Sequence, residues 1–316
     1  MRTLFKPEQF HALKGPLVLA AGFFDGVHRG HRAVLEGAIM RARELGGEAW
    51  ALTFDKHPKA ILTPNQTPPL LTPLSMRLEL LRDVGLDGAY LLTFRPEMAS
   101  QSPEAFVHAL CGDTHAVSEI HCGANWRFGS KAAGTPELLA SFGEQEGFRV
   151  VVEKDVNFKG APISSTRIRR SIAAGELEDA TAMLGRPHTI RETVIHGREL
   201  ARTYGIATAN FNPTADALPP IGVYAVRSSI GDRVLDGIGS LGWRPTFKNA
   251  RPEKPVLEVH FFDFDGDLYG ASLKIAFYKK IRDERPFESG EALFSQIRKD
   301  IETAKRYFHG TIQNGQ

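Results

Sequence analysis

The chain has 316 residues, which predicts two domains because one compact domain usually takes roughly 100–200 residues. Hydrophobic residues make up 42% and charged residues 24%, a composition typical of soluble globular proteins that excludes a disordered chain and a membrane bundle. Basic and acidic residues are interspersed and sum to +2, so we expect no broad field that attracts nucleic acid or an anionic membrane.

The cysteines and the N-terminal segment indicate the cellular compartment of the protein. Cys111 and Cys122 are too few for a disulfide framework and lie in no zinc-binding pattern, which favours reduced thiols in a cytoplasm. The apolar run 16–24 follows basic residues and imitates a secretory signal, but it ends in a glycine loop rather than a cleavage site. It is also far shorter than the roughly 20 residues of a membrane span. We interpret it as a first buried strand.

From residue 17 to about residue 155, short apolar runs alternate with helical patterns. This alternation predicts βαβ units, and therefore a Rossmann-like α/β domain whose parallel sheet has helices on both faces. Ligands of such sheets bind beyond the carboxyl ends of the strands. The segments are residues 17–23, the stretch after His31, and residues 48–54, 75–84, 88–94 and 103–110.

The sequence pattern changes after a short helix that ends at Gly185-Arg186-Pro187. We place the domain boundary there, with a first domain of residues 1–184 and a second of residues 185–316. Short β-rich runs beyond it predict a small antiparallel β-barrel. Apolar residues spaced by three and four then predict a C-terminal helix packed on the barrel. These residues are Leu293, Ile297, Ile301, Ala304 and Phe308.

The loop after the first strand has the features of an anion site. Gly22 and Gly26 allow tight backbone turns, so amide groups can approach a phosphate in front of the positive N-terminus of the next helix. His28 and His31 project toward the same side if they lie on the first helical turn. Alternatively, each histidine caps or packs locally. Their occurrence with two glycines and Asp25 favours function.

The string Gly-Phe-Phe-Asp-Gly-Val-His-Arg-Gly-His at 22–31 resembles the HxGH nucleotidyltransferase superfamily. Within it, the string is similar to that of the bacterial bifunctional riboflavin kinase and FAD synthetase family. Segments 53–58, 71–74, 123–129 and 163–169 agree in order. The resemblance implies adenylyl transfer from ATP to FMN, with His28 and His31 as catalytic residues. It also implies ATP-binding roles for Gly22, Phe23, Gly26 and Gly30.

Phosphate binding is also implied for the Ser-Ser-Thr segment. Ser164, Ser165 and Thr166 would hold β- and γ-phosphates at a helix start, and the guanidinium of Arg169 would add fixed charge in catalysis. The alternative is a simple N-cap, which is compatible with phosphate binding. Because the phosphate of FMN is already ionised, catalysis needs alignment and charge stabilisation, shared with Mg²⁺, rather than a general base. We predict a structural role for Asp25, since a carboxylate repels phosphates.

Asn125 and Trp126 offer an amide beside an aromatic ring, which would meet the adenine base or the flavin ring. A polar turn packed by an aromatic residue is an equally good interpretation, because aromatic side chains are mostly core. The sequence leaves both interpretations open. His57, before Pro58, is predicted only to shape its loop.

The second domain is similar to the family's riboflavin kinase signature Gly-Arg-x-Leu-Gly-Phe-Pro-Thr-Ala-Asn. Ala201, Tyr204 and Ala207 replace the glycine, leucine and proline. Thr208 and Asn210 remain, and the resemblance implies that they bind Mg²⁺ and ATP phosphates, which suits an oxygen-preferring cation. Alanine in place of proline frees φ and loosens the loop by ~1 kcal/mol, which argues against kinase activity.

Glu258 is the predicted general base of the kinase half. A carboxylate that reaches the ribityl hydroxyl of riboflavin would remove its proton during phosphoryl transfer. Alternatively, Glu258 occupies the solvated face of an alternating strand. Arg282, Glu284 and Phe287 resemble the family's closing segment, although by themselves they indicate a salt-bridged turn.

The leading hypothesis is an enzyme of FAD biosynthesis with two reactions, in which riboflavin and ATP give FMN, and FMN and ATP give FAD and pyrophosphate. The alternative is an FMN adenylyltransferase whose barrel is a flavin-binding regulatory module. The expected partners are small-molecule substrates, without nucleic acid or membrane. The sequence leaves open whether the chain forms a homo-oligomer.

Overall fold

The structure is a computed structural model that describes residues 1–112, 116–197, 206–243 and 255–313. Contacts between Cα atoms divide the chain into two compact units, Met1–Ser165 and Thr166–Gln316. Within the described residues, no helix combines the length and the apolar character that crossing a membrane requires.

The first unit contains a six-stranded sheet in which every neighbouring pair is parallel, in the order β1-β4-β3-β2-β5-β6. This confirms the predicted Rossmann-like domain. The strands are β1 (Arg2–Leu4), β2 (Leu17–Ala21), β3 (Glu48–Phe54), β4 (Gly88–Leu92), β5 (Val117–Gly123) and β6 (Arg149–Glu153).

Apolar cores cover both faces of this sheet. Leu17 and Leu19 of β2 belong to one buried cluster, and Val18 and Ala20 belong to the other. A strand buried on both faces is continuously apolar, which is why residues 17–21 lack alternation. The helices are α1 (Pro7–His11), α2 (Arg29–Glu44), α3 (Lys59–Leu62), α4 (Leu74–Val84), α5 (Pro96–Ser100), α6 (Pro103–Cys111) and α7 (Pro136–Glu146), with short 3₁₀ turns at Pro64–Gln66 and Ser130–Ala132.

A two-stranded ribbon, a helix that crosses from one unit to the next, and a second short helix follow. They are β7 (Asn157–Phe158), β8 (Ala161–Pro162), α8 (Ser165–Ala174) and α9 (Leu177–Leu184).

The second unit contains a curled antiparallel sheet of six strands in the order β10-β13-β12-β11-β14-β9. Its two edge strands approach each other where the N–H of Ile195 donates to the carbonyl of Asn210 at 2.8 Å. Ala304 and Phe308 of the last helix pack on the outer face, which confirms the predicted barrel and C-terminal helix. The elements are β9 (His188–Thr193), β10 (Ala209–Phe211), β11 (Gly222–Ile230), β12 (Arg233–Gly242), β13 (Val256–Phe261), β14 (Ser272–Arg282) and α10 (Gly290–Gln313).

Candidate active sites

The parallel sheet has a switch point beside β2. The chain continues from β2 to β3 and β4 on one side, whereas β5 and β6 lie on the other. In open α/β sheets, ligands bind at the carboxyl ends of the strands at such a point. Segment 22–31 directly follows β2, and segment 123–129 begins at the last residue of β5, so the structure brings both predicted binding loops to this edge.

The turn after β2 has backbone angles that L-residues rarely adopt. Phe24 has φ +56° and Val27 has φ +40°, with Gly26 at +82° between them. A Cβ atom on Gly22 would lie 2.9 Å from the ring of Phe24, so glycine is required there. Such strain persists only where surrounding groups fix the backbone, and it is concentrated at functional sites.

Asp25 ties this turn to the segment before α4. Its buried carboxylate accepts hydrogen bonds from the N–H groups of Leu71 at 3.0 Å and Thr72 at 3.1 Å. The hydroxyl of Thr72 accepts a hydrogen bond from the N–H of Gly26 at 3.1 Å. Because the carboxylate is directed at backbone donors, these contacts agree with the structural role predicted for Asp25.

His28 and His31 lie together at the start of α2. His28 is the N-cap residue, and its Nδ1 accepts a hydrogen bond from the N–H of His31 at 3.1 Å. The two rings are stacked, with centroids 3.5 Å apart. Because Nδ1 is an acceptor, the neutral ring of His28 carries its proton on Nε2 and is a donor there. His28 therefore caps the helix, and its ring has a hydrogen-bond donor at Nε2.

Phe23 lies between two polar side chains at the same edge. The ring of His57 meets it edge-on at 4.8 Å, and the guanidinium of Arg77 lies 4.3 Å from its centroid. Nδ1 of His57 accepts a hydrogen bond from the N–H of Lys59 at 3.1 Å, which agrees with a role in shaping the loop. The sequence prediction missed Arg77. Its spacing of four from buried Leu81 was the available signal for an inner position on α4.

The Ser-Ser-Thr segment begins α8. The hydroxyl of Ser165 donates to the carbonyl of Asp25 at 3.1 Å, which places Ser164 and Ser165 beside the turn after β2. Thr166 and Arg169 follow on α8 and belong to the second unit.

The loop after β5 contains Asn125 and Trp126. Asn125 is exposed, whereas Trp126 is half-buried and its ring stacks on that of Phe128 at 4.8 Å. The N–H of Trp126 donates to the carbonyl of Gly123 at 3.0 Å and closes the turn. The loop is therefore a turn packed by an aromatic side chain. The amide of Asn125 is exposed beside the carboxyl ends of the strands.

Strand pairing brings the predicted kinase residues together. Glu258 on β13 is paired with Asn210 on β10 and with Ser240 on β12, so the three side chains lie side by side on one face. Asn210 is buried and Glu258 is exposed. A Cβ atom on Gly197 would lie 2.2 Å from Nδ2 of Asn210, so glycine is required for the backbone to pass this side chain.

Thr208 and Asn210 also line a cavity of about 340 Å³ together with Tyr269. The ring of Tyr269 stacks on that of His196 at 3.8 Å. Nδ2 of Asn210 donates to the carbonyl of Thr208 at 3.4 Å, which directs the amide group. Neither His196 nor Tyr269 was among the predicted site residues.

His260 is a further residue that the sequence prediction missed. Its Nδ1 donates to the carbonyl of Ala207 at 2.8 Å. Ala201 and Tyr204, the other two changed positions of the signature, lie outside the described residues.

Arg282 of the closing segment that resembles the family forms an ion pair with Asp300 on α10, whereas the sequence indicated a salt bridge within the turn. Nε of Arg282 donates to Oδ2 of Asp300 at 2.8 Å, and the guanidinium lies 5.5 Å from the ring of Phe287. A Cβ atom on Gly242 would lie 2.8 Å from Oε1 of Glu284. The segment thus contacts both α10 and the end of β12.

A parallel α/β domain with paired histidines at a helix N-terminus, followed by a barrel with a paired asparagine and carboxylate, defines a two-domain nucleotide-dependent transferase. Family models match both halves, as FAD synthetase over residues 11–167 and as riboflavin kinase over residues 184–308.

Similar proteins span nearly the whole chain. The bifunctional riboflavin kinase/FMN adenylyltransferase of Bacillus subtilis is 35% identical over 98% of each chain, and that of Escherichia coli is 35% identical over 92% of each. A crystal structure described as a macrolide-efflux protein from Streptococcus pneumoniae has a TM-score of 0.84 at 28% identity, over 96% of this chain and 99% of the other. The chain belongs to the bifunctional riboflavin kinase/FMN adenylyltransferase family.

Proposed function

We propose that the two halves divide the two reactions of this bifunctional enzyme between them. The barrel would phosphorylate riboflavin to FMN, and the α/β domain would transfer the adenylyl group of ATP to FMN. The observation that carries this assignment is the pairing of Asn210 with Glu258 in one half and of His28 with His31 in the other. We propose a domain boundary at residues 184/185, and a riboflavin kinase match that begins at residue 184 supports it.

In the α/β domain, the turn after β2 and the start of α2 would bind the triphosphate. The N-terminus of a 16-residue helix favours a negative charge, and Nε2 of His28 would donate to it as charge moves to the leaving pyrophosphate. The hydroxyls of Ser164 and Thr166 and the guanidinium of Arg169 would complete the phosphate contacts. Because FMN is an ionised nucleophile, this site needs no general base.

Asn125 and Trp126 would contact the flavin ring or the adenine base in this site. Support comes from their loop, which leaves β5 at the switch point, where ligands of such sheets bind. The half-buried ring of Trp126 would stack on a planar group, and the exposed amide of Asn125 would bond its edge.

In the barrel, Glu258 would accept the proton of the ribityl hydroxyl. A carboxylate that is exposed on its strand can meet a substrate, and it lies beside the proposed metal ligand Asn210. The reaction yields FMN with a new phosphate ester and ADP as the leaving product.

The residues around the kinase cavity fit a magnesium ion. With Nδ2 of Asn210 donating to the carbonyl of Thr208, its Oδ1 and the Thr208 hydroxyl are the oxygens that would hold Mg²⁺. Mg²⁺ is usually bound by one or two protein oxygens plus substrate phosphates. When bound, it would neutralise phosphate charge during transfer.

We also propose a cytoplasmic enzyme that binds small molecules and no nucleic acid. Support comes from the near-neutral net charge of +2 and from the buried thiols of Cys111 and Cys122. Binding to an unrelated RNA or DNA that persists at physiological salt would contradict the proposal.

The direct test is to incubate the purified chain with Mg-ATP and either riboflavin or FMN, and to separate the flavins by chromatography. We expect FMN and then FAD from riboflavin, and FAD and pyrophosphate from FMN. Formation of FAD from FMN without any FMN from riboflavin would overturn the kinase assignment and support a regulatory flavin-binding barrel.

A further inference from the structure

Arg77 is a buried cation whose hydrogen bonds go to the main chain. It lies on α4 and is 2% exposed. Nη1 donates to the carbonyl of Phe23 at 3.0 Å, and Nη2 donates to the carbonyls of Phe54 at 2.5 Å and Asp55 at 3.4 Å. Burial lowers the pKa of Arg77 to about 10, so the guanidinium remains charged at neutral pH. The side chain of Arg77 thus joins the turn after β2 to the end of β3.

These carbonyls lie at the carboxyl ends of the parallel strands, where ligands of such sheets bind. Phe54 is the last residue of β3, and Phe23 follows the end of β2. The carbonyl of Phe23 also accepts a hydrogen bond from the hydroxyl of Thr53 at 3.1 Å. The guanidinium packs over the ring of the same phenylalanine at 4.3 Å. Phe23 is therefore fixed at both its carbonyl and its side chain.

The strained turn begins directly after this fixed carbonyl. Phe24 has φ +56°, and the turn continues through Gly26 to the N-cap residue His28. Because strained backbone persists only where its surroundings determine it, the groups that hold Phe23 also determine the path of the turn. Asp25 fixes the turn from the other side.

Stability alone does not account for a charged residue here. Within the described part of the chain, Nε of Arg77 has no hydrogen-bond partner. Burying a cation with an unmet donor is unfavourable, and apolar residues of similar volume often replace buried charges without loss of stability. Leu81, four residues on, shows that this face of α4 accepts an apolar side chain.

We propose that Arg77 is a positioning residue for adenylyl transfer. It holds the carbonyl of Phe23 against the end of β3 and so keeps the turn in the conformation that leads to His28 at the start of α2. The inference rests on the proposed use of this turn for ATP. A displacement of about 1 Å at such a site costs about 100-fold in rate.

The test uses the full chain with Arg77→Met and Arg77→Lys, and with Arg82→Met as a matched control. Arg82 lies on the same helix but is exposed, and among its described contacts its side chain bonds only to neighbouring Asp83. We expect Arg77→Met to lower kcat for FAD formation about 100-fold, with a smaller change in KM. Arg77→Lys would be intermediate, because an ammonium lacks the planar fork. Riboflavin phosphorylation by the same preparations provides an internal reference and stays unchanged.

Chemical rescue separates positioning from folding. Free guanidinium at non-denaturing concentration would restore FAD formation by Arg77→Ala about 10-fold or more, because it can occupy the vacated space and bond the same carbonyls. Arg77→Met with a kcat for FAD formation within about two-fold of the natural chain would overturn the proposal. Equal loss of both activities without rescue would also overturn it.

The same assay separates this inference from the site on which it rests. If His28→Ala also leaves FAD formation intact, the proposed adenylyl-transfer site is wrong. If His28→Ala abolishes FAD formation and Arg77→Met does not, only the role of Arg77 fails.

Discussion

The imidazole of His260 donates from Nδ1 to the carbonyl of Ala207 at 2.8 Å. Ala207 stands where the family's kinase signature has proline, so its φ lacks the restraint of a ring. His260 follows Glu258 by two residues on β13, and both side chains lie on one face of the strand. The hydrogen bond therefore holds the residue before Thr208 beside the proposed general base and replaces part of the missing restraint.

A double-mutant cycle tests this relationship. We expect His260→Ala to lower kcat for riboflavin phosphorylation about five-fold, because one hydrogen bond that orders a loop contributes ~1 kcal/mol. Ala207→Pro would restore most of the loss in the double variant, since the ring fixes φ independently of the histidine. FAD formation from supplied FMN is the internal control. Simply additive effects of the two changes would contradict the interpretation.

His28→Asn separates the cap of α2 from the proposed phosphate donor. Asparagine is a preferred N-cap residue and keeps an acceptor for the N–H of His31, but it lacks the Nε2 donor. We expect kcat for FAD formation to fall about 100-fold or more, with FMN formation unaffected. His11→Asn, at a partly exposed histidine bonded to the carbonyl of Ala109, is the control. Near-normal FAD synthesis by His28→Asn would remove His28 from the catalytic residues.

Glu258→Gln retains the shape of the side chain and removes its basicity. Loss of a general base lowers the rate about 10²- to 10⁴-fold, so we expect riboflavin phosphorylation to fall in that range while FAD formation from FMN continues. Glu291→Gln, at an exposed position on α10, is the matched control. Riboflavin phosphorylation at an unchanged rate would place Glu258 on the solvated face without a catalytic role.

The two thiols are predicted to be unreactive in the folded chain. Burial raises the pKa of Cys111 to about 12 and that of Cys122 to about 11, and the thiolate is the reactive form. We expect iodoacetamide to label neither thiol at pH 8 until denaturant is added. Above about pH 9, unfolded thiols lose protons that folded thiols keep, so the free energy of unfolding falls as pH rises. Rapid labelling of the folded chain would contradict this.

The sequence predicted the binding loop best where local rules agree with the fold. Residues 17–21 are continuously apolar, and Gly22 and Gly26 mark the turn that follows, so strand, turn and helix start were all readable. The roles of Arg77 and His260 could not be predicted, because each side chain donates to a carbonyl more than 20 residues away in sequence. Contacts of that kind exist only after the sheet has formed.

The central strand β5 was missed for a different reason. Its sequence, Val-Ser-Glu-Ile-His-Cys-Gly, carries a glutamate and a histidine, whereas strands buried on both faces are normally apolar. In the fold, Nε2 of His121 lies 2.9 Å from Oε1 of Glu119, and Nδ1 lies 2.8 Å from Oε1 of Glu153. Arg41 of α2 donates to the other oxygen of Glu119 at 2.9 Å. Mutual pairing across three elements allows these groups to be buried.

The buried network of Glu119, His121 and Glu153 gives a prediction about the free energy of unfolding. The expected change depends on whether one member or all three are replaced. His121→Leu leaves Glu119 and Glu153 without their shared partner, and we expect a loss of about 3–5 kcal/mol in the free energy of unfolding. Replacing Glu119, His121 and Glu153 together by leucine would recover much of that loss, because no charge remains unpaired in the interior.

The measurement for this network is the urea midpoint for loss of FAD formation, with FMN formation as the reference for the other half. Glu44→Gln is the control, since Glu44 pairs with Arg41 at 2.7 Å but its side chain is 55% exposed, and exposed pairs contribute little. A triple variant less stable than His121→Leu would show that the charges stabilise the fold in their own right. A triple variant more stable than the natural chain would show that the charges were retained at a cost in stability, because the interior position of β5 then favours an apolar strand.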